Sequence, residues 1–145
     1  MEPYEHILVA TDLSDDSDAA VMRALDLAQR YGSRLTLLHV VDYTVDELPI
    51  DWLETGEDNS DEFLRNWAEQ ALTELAAELD RERTQTAVIM NVKSPVREIL
   101  EYSNNHGVDL VVLAAHGRQG LSAWVKSAST SVFQKSRCDV MAIRI

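Results

Sequence analysis

The feature that most constrains the fold is an alternation of short apolar runs with amphipathic helical patterns along the chain. We predict five strands, at residues 6–12, 34–41, 86–92, 109–115 and 140–145, with four helices between them. The first strand is continuously apolar, as expected where both faces of a strand are covered. Because strand–helix–strand connections are right-handed, the pattern favours an α/β fold, a single doubly wound five-stranded parallel sheet with helices on both faces. The strand order does not follow from the pattern.

Capping residues define the predicted helices. A serine hydroxyl can accept a hydrogen bond from a free N–H group at a helix start, and glycine ends a helix readily. Helices are placed from Ser14 to Gly32, from Ser60 onwards, from Ser94 to Gly107, and within residues 124–136. Trp67 belongs to the apolar stripe of the second helix and is expected in the core. Residues 42–62 hold nine acidic and no basic residues and are interpreted as a long surface connection.

Composition limits the partners of this chain. Its 145 residues are expected to form one domain, residues 1–145, with a core of its own. The net charge of −12 would repel nucleic acid and an anionic membrane surface, so we expect neither as a partner. The single cysteine, Cys138, excludes an intramolecular disulfide and suits a reducing cytoplasm. The spacing of His, Cys and acidic residues matches no metal-binding motif, so no metal is predicted.

A ligand of a doubly wound sheet binds beyond the carboxyl ends of the strands, where the strand order reverses. Gly117 allows the backbone to approach a phosphate closely, and His116 or Arg118 could reach its oxygens. Further hydroxyl donors follow at Ser127, Ser129 and Thr130. The alternative is a polar turn followed by a hydroxyl-capped helix, and spacing alone favours that alternative.

Two further side chains lie near the same predicted edge. Asp12 ends the first strand and could accept a hydrogen bond from an adenine amino group or a ribose hydroxyl. The alternative, which position alone favours, is a turn aspartate that caps the next helix together with Ser14. His39 lies within the second strand and is expected to be a packed or hydrogen-bonded core residue rather than a catalyst.

Three other classes of α/β protein require residues that this chain lacks. A P-loop requires a Gly-Lys pair, which does not occur. A dinucleotide-binding domain requires GxGxxG after the first strand, whereas residues 12–17 contain no glycine. A receiver domain would carry an aspartate at the end of the third strand and a lysine at the end of the fifth. The third strand ends in Asn-Val-Lys-Ser, and no lysine follows Lys135.

Two segments together resemble a known family. His6-Ile-Leu-Val-Ala-Thr-Asp-Leu-Ser14 and Asp109-Leu-Val-Val-Leu-Ala-Ala-His-Gly117 are similar to the corresponding segments of universal stress proteins, and the similarity covers the whole chain. The resemblance implies the strand order 3-2-1-4-5 and a cytoplasmic homodimer paired through the last strand, from Val140 to Ile145. Pairing that edge strand with its copy would also remove an exposed sheet edge.

The resemblance also bears on nucleotide binding. Family members that bind ATP carry Gly-x-x-Gly, nine residues, then Gly-Ser or Gly-Thr. Here Gly117 is kept, but Ala114 and Ser127 replace the other two glycines and Ala128 replaces the hydroxyl residue. In this respect the chain resembles the universal stress protein A type, which lacks the ATP motif. By contrast, the sequence His-Gly-Arg-Gln-Gly-Leu at residues 116–121 and the residues Asp12 and Val40 match the ATP-binding type.

The resemblance therefore implies a non-catalytic stress-response protein, with partner proteins unknown, that does not bind ATP tightly. The alternative is an ATP- or AMP-binding member that acts as a nucleotide-responsive switch. Slow ATP hydrolysis is the weakest hypothesis, because we find no nucleophile–base pair and no lysine placed for a γ-phosphate. The candidate nucleotide-binding residues are Ala10, Asp12, Val40, Ala114, His116, Gly117, Arg118, Ser127, Ser129 and Thr130.

Overall fold

The structure, a computed structural model, describes residues 2–41, 60–90, 94–115, 132 and 134–144. Within these ranges the strands are β1 His6–Ala10, β2 Arg34–Val41, β3 Thr84–Met90, β4 Leu110–Ala115 and β5 Asp139–Arg144. The helices are α1 Asp18–Tyr31, α2 Ser60–Glu78 and α3 Pro95–Asn105. All neighbouring strands are parallel, and the sheet order is β3-β2-β1-β4-β5. The predicted fold class and the order implied by the resemblance are confirmed.

The core lies on both faces of this sheet. Alternate residues of β1 point to opposite faces, as the period of a strand requires. Ile7 and Val9 pack with α1 and α2 on one face, where Leu72 of α2 is fully buried. Leu8 packs on the other face with Ile99 of α3. Burial on both faces explains why β1 contains only apolar residues after His6.

The ends of the helices mostly follow the predicted capping. Gly32 and Gly107 have φ of 69° and 65°, a left-handed conformation that glycine adopts without steric cost. Ser94 accepts a hydrogen bond from the Arg97 N–H at 3.2 Å, as a helix cap does. The prediction for Ser14 is wrong. A 3-10 turn, Asp15–Ser17, precedes α1, and the Ser14 hydroxyl donates to Asp12 instead of accepting from a helix N–H.

Some strand boundaries also differ from the prediction. β3 begins two residues earlier than predicted, at Thr84, and β1 ends two residues earlier, at Ala10. β5 begins at Asp139, and Ile145 lies outside the described residues. Most of the predicted helix at residues 124–136 lies outside them as well, although residues 132, 134 and 135 are helical. In the described ranges, no helix combines the length and apolar composition needed to cross a membrane.

The prediction that Trp67 belongs to the core is also wrong, because its side chain is 50% exposed. The buried stripe of α2 contains Ala68, Leu72 and Ala76. Trp67 precedes Ala68 by one residue and is therefore rotated by about 100° from it around the helix axis. This rotation places the indole on the flank of α2, beside the buried stripe rather than within it.

Candidate functional site

The pairing of β1 with β4 ends before the carboxyl ends of the two strands. Their pairing runs from Ile7 opposite Leu110 to Val9 opposite Val112. Beyond that pair β1 stays with β2, and β4 continues to Ala115 in register with β5. This is the switch point of the sheet, because the chain proceeds from β1 to β2 on one side and enters β4 on the other. Such a switch point forms a crevice in which doubly wound proteins bind ligands.

Asp12 lies at the edge of this crevice, two residues after β1 ends. Its Oδ1 accepts a hydrogen bond from the Ser14 backbone N–H at 2.9 Å and another from the Ser14 hydroxyl. The carboxylate thus holds the turn between β1 and α1, although not as the cap of a helix. Its second oxygen, Oδ2, takes no part in these two bonds, and the residue is only partly buried.

Two hydroxyl groups brace the same turn. The Ser17 hydroxyl donates to the Ser14 carbonyl at 2.8 Å and lies 2.7 Å from Thr11 Oγ1. Because the single proton of the Ser17 hydroxyl is used at Ser14, the Thr11 hydroxyl must donate to Ser17. Thr11 Oγ1 also accepts from the Leu13 N–H at 3.0 Å. We call this group, Thr11 to Ser17, the hydroxyl clamp.

Leu13, in the middle of the clamp, has a φ of 65°. It is the one non-glycine residue with positive φ in the ranges that the structure describes. A left-handed conformation costs a side-chain-bearing residue about 1–2 kcal/mol, and it persists only where the surroundings impose it. The bond from the Leu13 N–H to Thr11 is one such constraint. The clamp therefore holds the backbone next to Asp12 in a shape that it would not adopt alone.

His39 anchors the beginning of the clamp from β2. Its Nδ1 lies 2.8 Å from the Thr11 carbonyl oxygen, and the side chain is 6% exposed. Burial lowers the pKa of His39, whereas the bond to Thr11 and the charge of Asp12 oppose that shift. The ring is therefore neutral near pH 7, with its proton on Nδ1. The prediction of a hydrogen-bonded core histidine is confirmed.

Three other candidate residues are buried at the carboxyl ends of the strands. Ala10 pairs with Leu38, and Val40 packs in the core on the α3 side of the sheet. Ala114 is 3% exposed and pairs with Ile143 in the ordinary extended backbone of β4. This position does not require the conformational freedom of glycine, so the alanine does not strain the strand. The remaining candidates, namely His116, Gly117, Arg118, Ser127, Ser129 and Thr130, lie outside the described residues.

Sequence reasoning missed Thr11, Leu13 and Ser17 as parts of this site. A signal was present, because hydroxyl and aspartate side chains cluster in Thr-Asp-Leu-Ser-Asp-Asp-Ser directly after a buried strand. Such side chains commonly bond to the backbone two or three residues away. The sequence does not show which of the several possible bonds form.

Comparison with known proteins decides the family. The model of the universal stress protein family matches residues 3–144. The chain belongs to the universal stress protein family. A universal stress protein A homologue of Coxiella burnetii, homologue 2, is 32% identical over 146 residues, which cover 100% of this chain and 98% of that protein. The solved structure of a universal stress protein UspA from Lactobacillus plantarum has a TM-score of 0.72 at 27% identity, covering 99% of this chain and 100% of the other.

Two more distant structures of the family contain nucleotides. A universal stress protein in complex with cAMP has a TM-score of 0.69 at 19% identity, covering 99% of this chain and 98% of the other. A universal stress protein from Archaeoglobus fulgidus in complex with dAMP has a TM-score of 0.60 at 21% identity, covering 97% of this chain and 98% of the other. At these identities the two structures show the shared fold, and the nucleotides are ligands of those proteins.

Proposed function

We propose that this member of the family is a non-catalytic, cytoplasmic stress-response protein that acts as a homodimer. Its switch-point crevice binds an adenine mononucleotide and does not hold ATP tightly. The observation that carries this proposal is the end of the β1–β4 pairing at Val9 and Val112, the switch point of the sheet, with the Asp12 carboxylate two residues beyond β1.

The adenosine end of a nucleotide suits what the crevice retains. Asp12 Oδ2 is an acceptor outside the bonds of the turn, and an adenine amino group or a ribose hydroxyl can donate to it. The alanine at position 114 lies in ordinary strand backbone, so its replacement of a glycine does not by itself prevent binding. The cAMP and dAMP complexes of the two distant relatives support a mononucleotide as the ligand class.

The triphosphate end fits less well. Ser127 and Ala128 stand where ATP-binding relatives carry glycine and a hydroxyl residue. Negative charge is also concentrated near the crevice. The pKa of Asp18 is raised first by burial and then by repulsion from Asp15 and Asp12. A triphosphate, which carries more negative charge than a monophosphate, is repelled more strongly by such a cluster.

The titratable side chains at the ends of β1 and β2 support binding rather than catalysis. Asp12 is bonded to Ser14, and the Nδ1 proton of His39 is directed at the Thr11 carbonyl. A general base has to reach a proton of the substrate or of an attacking water molecule. Asp12 Oδ1 and His39 Nδ1 are instead committed to holding the loop, which is a role in shaping a binding site.

The proposed dimer uses β5, which forms one edge of the sheet. Its apolar residues are only partly buried, although Val140 packs toward one face and Met141 and Ile143 toward the other. An edge strand with apolar side chains is prone to pair with another strand, and a second copy of β5 would cover it. Deletion of residues 140–145 is expected to give monomer or aggregate by light scattering. A well-folded dimer after that deletion would refute this interface.

Isothermal titration of nucleotide-stripped protein with AMP, cAMP and ATP, with and without Mg²⁺, tests the ligand. We expect AMP or cAMP to bind at least about tenfold more tightly than ATP, a difference of about 1.4 kcal/mol. Asp12→Asn is expected to weaken AMP binding, whereas the matched change Asp26→Asn on the exposed side of α1 leaves it unchanged. Tight ATP binding would favour the alternative, an ATP-responsive switch. Absence of heat with all three nucleotides would refute nucleotide binding.

A further inference from the structure

The clamp and its anchor form a series of hydrogen bonds, joined through the covalent structure of Thr11 and Ser14, from the core to Asp12. His39 donates to the Thr11 carbonyl, and the Thr11 hydroxyl donates to Ser17. Ser17 donates to the Ser14 carbonyl, and Ser14 donates to Asp12 Oδ1. Each hydroxyl uses its single proton within this chain. These contacts connect the buried ring of His39 in the neighbouring strand to the Asp12 carboxylate.

His39 contacts the backbone where β1 ends and the turn before α1 begins. The Thr11 N–H donates to the Leu38 carbonyl at 2.9 Å, which extends the pairing of β1 and β2 by one residue. The Thr11 carbonyl faces the His39 ring instead of a strand amide. A non-donating side chain at position 39 would leave this carbonyl without its partner, directly before Asp12 and the left-handed Leu13.

We infer that His39 is a positioning residue for the nucleotide site, which it orders by holding the Thr11 carbonyl and through it the clamp and Asp12. The effect of His39 on nucleotide affinity rests on the proposed function, whereas the effect of His39 on the clamp does not depend on any ligand. Burial of the neutral ring on β2 keeps the Nδ1 proton available to Thr11.

Two substitutions separate positioning from packing. His39→Leu fills the site with an apolar side chain and removes the donor. His39→Asn is smaller and more polar, but its amide nitrogen stands two bonds beyond Cβ, as Nδ1 does. If His39 serves only as packing, leucine is the better replacement. If it positions Thr11, asparagine is the better replacement.

Amide hydrogen exchange of the ligand-free protein gives the first readout. In His39→Leu we expect the Leu13 and Ser14 amides to exchange about five- to tenfold faster, in line with the loss of one buried hydrogen bond. In His39→Asn we expect rates within about twofold of the wild type. His6→Gln, which changes another buried histidine at the opposite end of the sheet, is the control and is expected to change these rates less than His39→Leu does. AMP titration gives the second readout. We expect His39→Leu to weaken AMP binding more than His39→Asn does.

Two results would overturn the inference: unchanged exchange in His39→Leu, or equal acceleration in both variants. If His39→Leu does not fold, the wild-type ring N–H is observed directly by NMR, and a ring proton that exchanges rapidly with water overturns the inference. Failure of the wild type to bind AMP refutes the proposed function alone, because the exchange rates still decide the role of His39.

Discussion

We predict that replacing His6 with glutamine reduces the pH dependence of stability between pH 5 and 7. His6 begins β1 and is 2% exposed. Its Nδ1 lies 3.0 Å from the His106 carbonyl oxygen, and its Nε2 lies 2.7 Å from Thr36 Oγ1. Because a carbonyl only accepts, Nδ1 carries the proton, and Nε2 accepts from the Thr36 hydroxyl. Both ring nitrogens are satisfied in the neutral form.

Protonation of this ring is opposed by its surroundings. Burial lowers the pKa of His6, the bond to the His106 carbonyl raises it, and the positive charge of Arg34 lowers it further. Asp109 raises the pKa, but both of its oxygens are already bonded, to the backbone N–H groups of Glu5 and His6. An added proton on Nε2 would also force the Thr36 hydroxyl to rotate, because Nε2 would then donate to Thr36 Oγ1 instead of accepting from it.

The sign of the pH effect follows from the lowered pKa. As the pH falls below about 6.5, the unfolded chain binds a proton at this histidine before the folded protein does. The contribution of His6 to stability is therefore complete above about pH 6.5 and is lost as the pH falls toward the lower pKa of the folded state. Each pH unit by which the two pKa values differ corresponds to about 1.4 kcal/mol.

Urea denaturation at fixed protein concentration, repeated between pH 5 and 8, measures this effect. At pH 8 we expect His6→Gln to lower the free energy of unfolding by about 1–3 kcal/mol, because buried hydrogen-bonding groups lose their partner. Between pH 7 and 5 we expect the variant to lose less stability than the wild type. The variant is expected to keep some slope of unfolding free energy against pH, because the pKa of His39 is also lowered by burial.

His106→Gln is the matched control for this experiment. Its ring is exposed and stacks on Tyr102, while its backbone carbonyl still bonds His6. We expect this variant to keep most of the wild-type slope, because the burial of His6 and its bond to the His106 carbonyl are unchanged. A slope in His6→Gln as steep as that of the wild type would refute the reasoning, as would an NMR titration that places the pKa of His6 at or above 6.5.

Three further predictions concern stability and ionisation elsewhere in the fold. Gly32→Ala is expected to lower the free energy of unfolding by about 1–2 kcal/mol. The cost comes from the φ of 69° alone, because an added Cβ meets nothing within 4 Å. Asparagine tolerates this conformation better, so an equal cost for Gly32→Asn would contradict that explanation. On α2, Leu72→Ala is expected to cost about 2–5 kcal/mol and Trp67→Ala about 1 kcal/mol, and the reverse order would contradict the observed burial. Because the Tyr4 hydroxyl donates to Asp139, the pKa of Tyr4 is raised to about 12, and alkaline absorbance titration is expected to lose this late phenolate step in Tyr4→Phe.

The fold could be predicted from the sequence where a single physical pattern decided the outcome. The bounds of β2 match the prediction because its apolar run is long and Gly32 ends the preceding helix sharply. The α3 cap at Ser94 was predictable because proline follows it. Trp67 was misplaced because one helical position separates a buried side chain from a half-exposed one, and hydrophobicity alone does not resolve that difference.

The candidate site was less accessible to sequence reasoning. The positions of Asp12 and Ala114 at strand ends follow from the α/β pattern, and the strand order that brings them to one crevice came only from the family resemblance. The bonds of the hydroxyl clamp could not be predicted, because Ser14 can cap a helix or bond to Asp12 with comparable energy. In the structure Ser14 bonds to Asp12 directly after a left-handed turn at Leu13, and sequence patterns of leucine do not indicate such a turn.

The same type of histidine–carbonyl contact occurs at both ends of the sheet. At each end a buried histidine directs its Nδ1 proton at the carbonyl of a connecting segment, His106 in one case and Thr11 in the other. Since His6 pairs with Arg34, His39 lies five residues farther along β2, roughly 16 Å away at 3.3 Å per residue. Residues so far apart without shared partners act almost independently. The acid sensitivity that arises at His6 can therefore change while the order of the hydroxyl clamp is preserved.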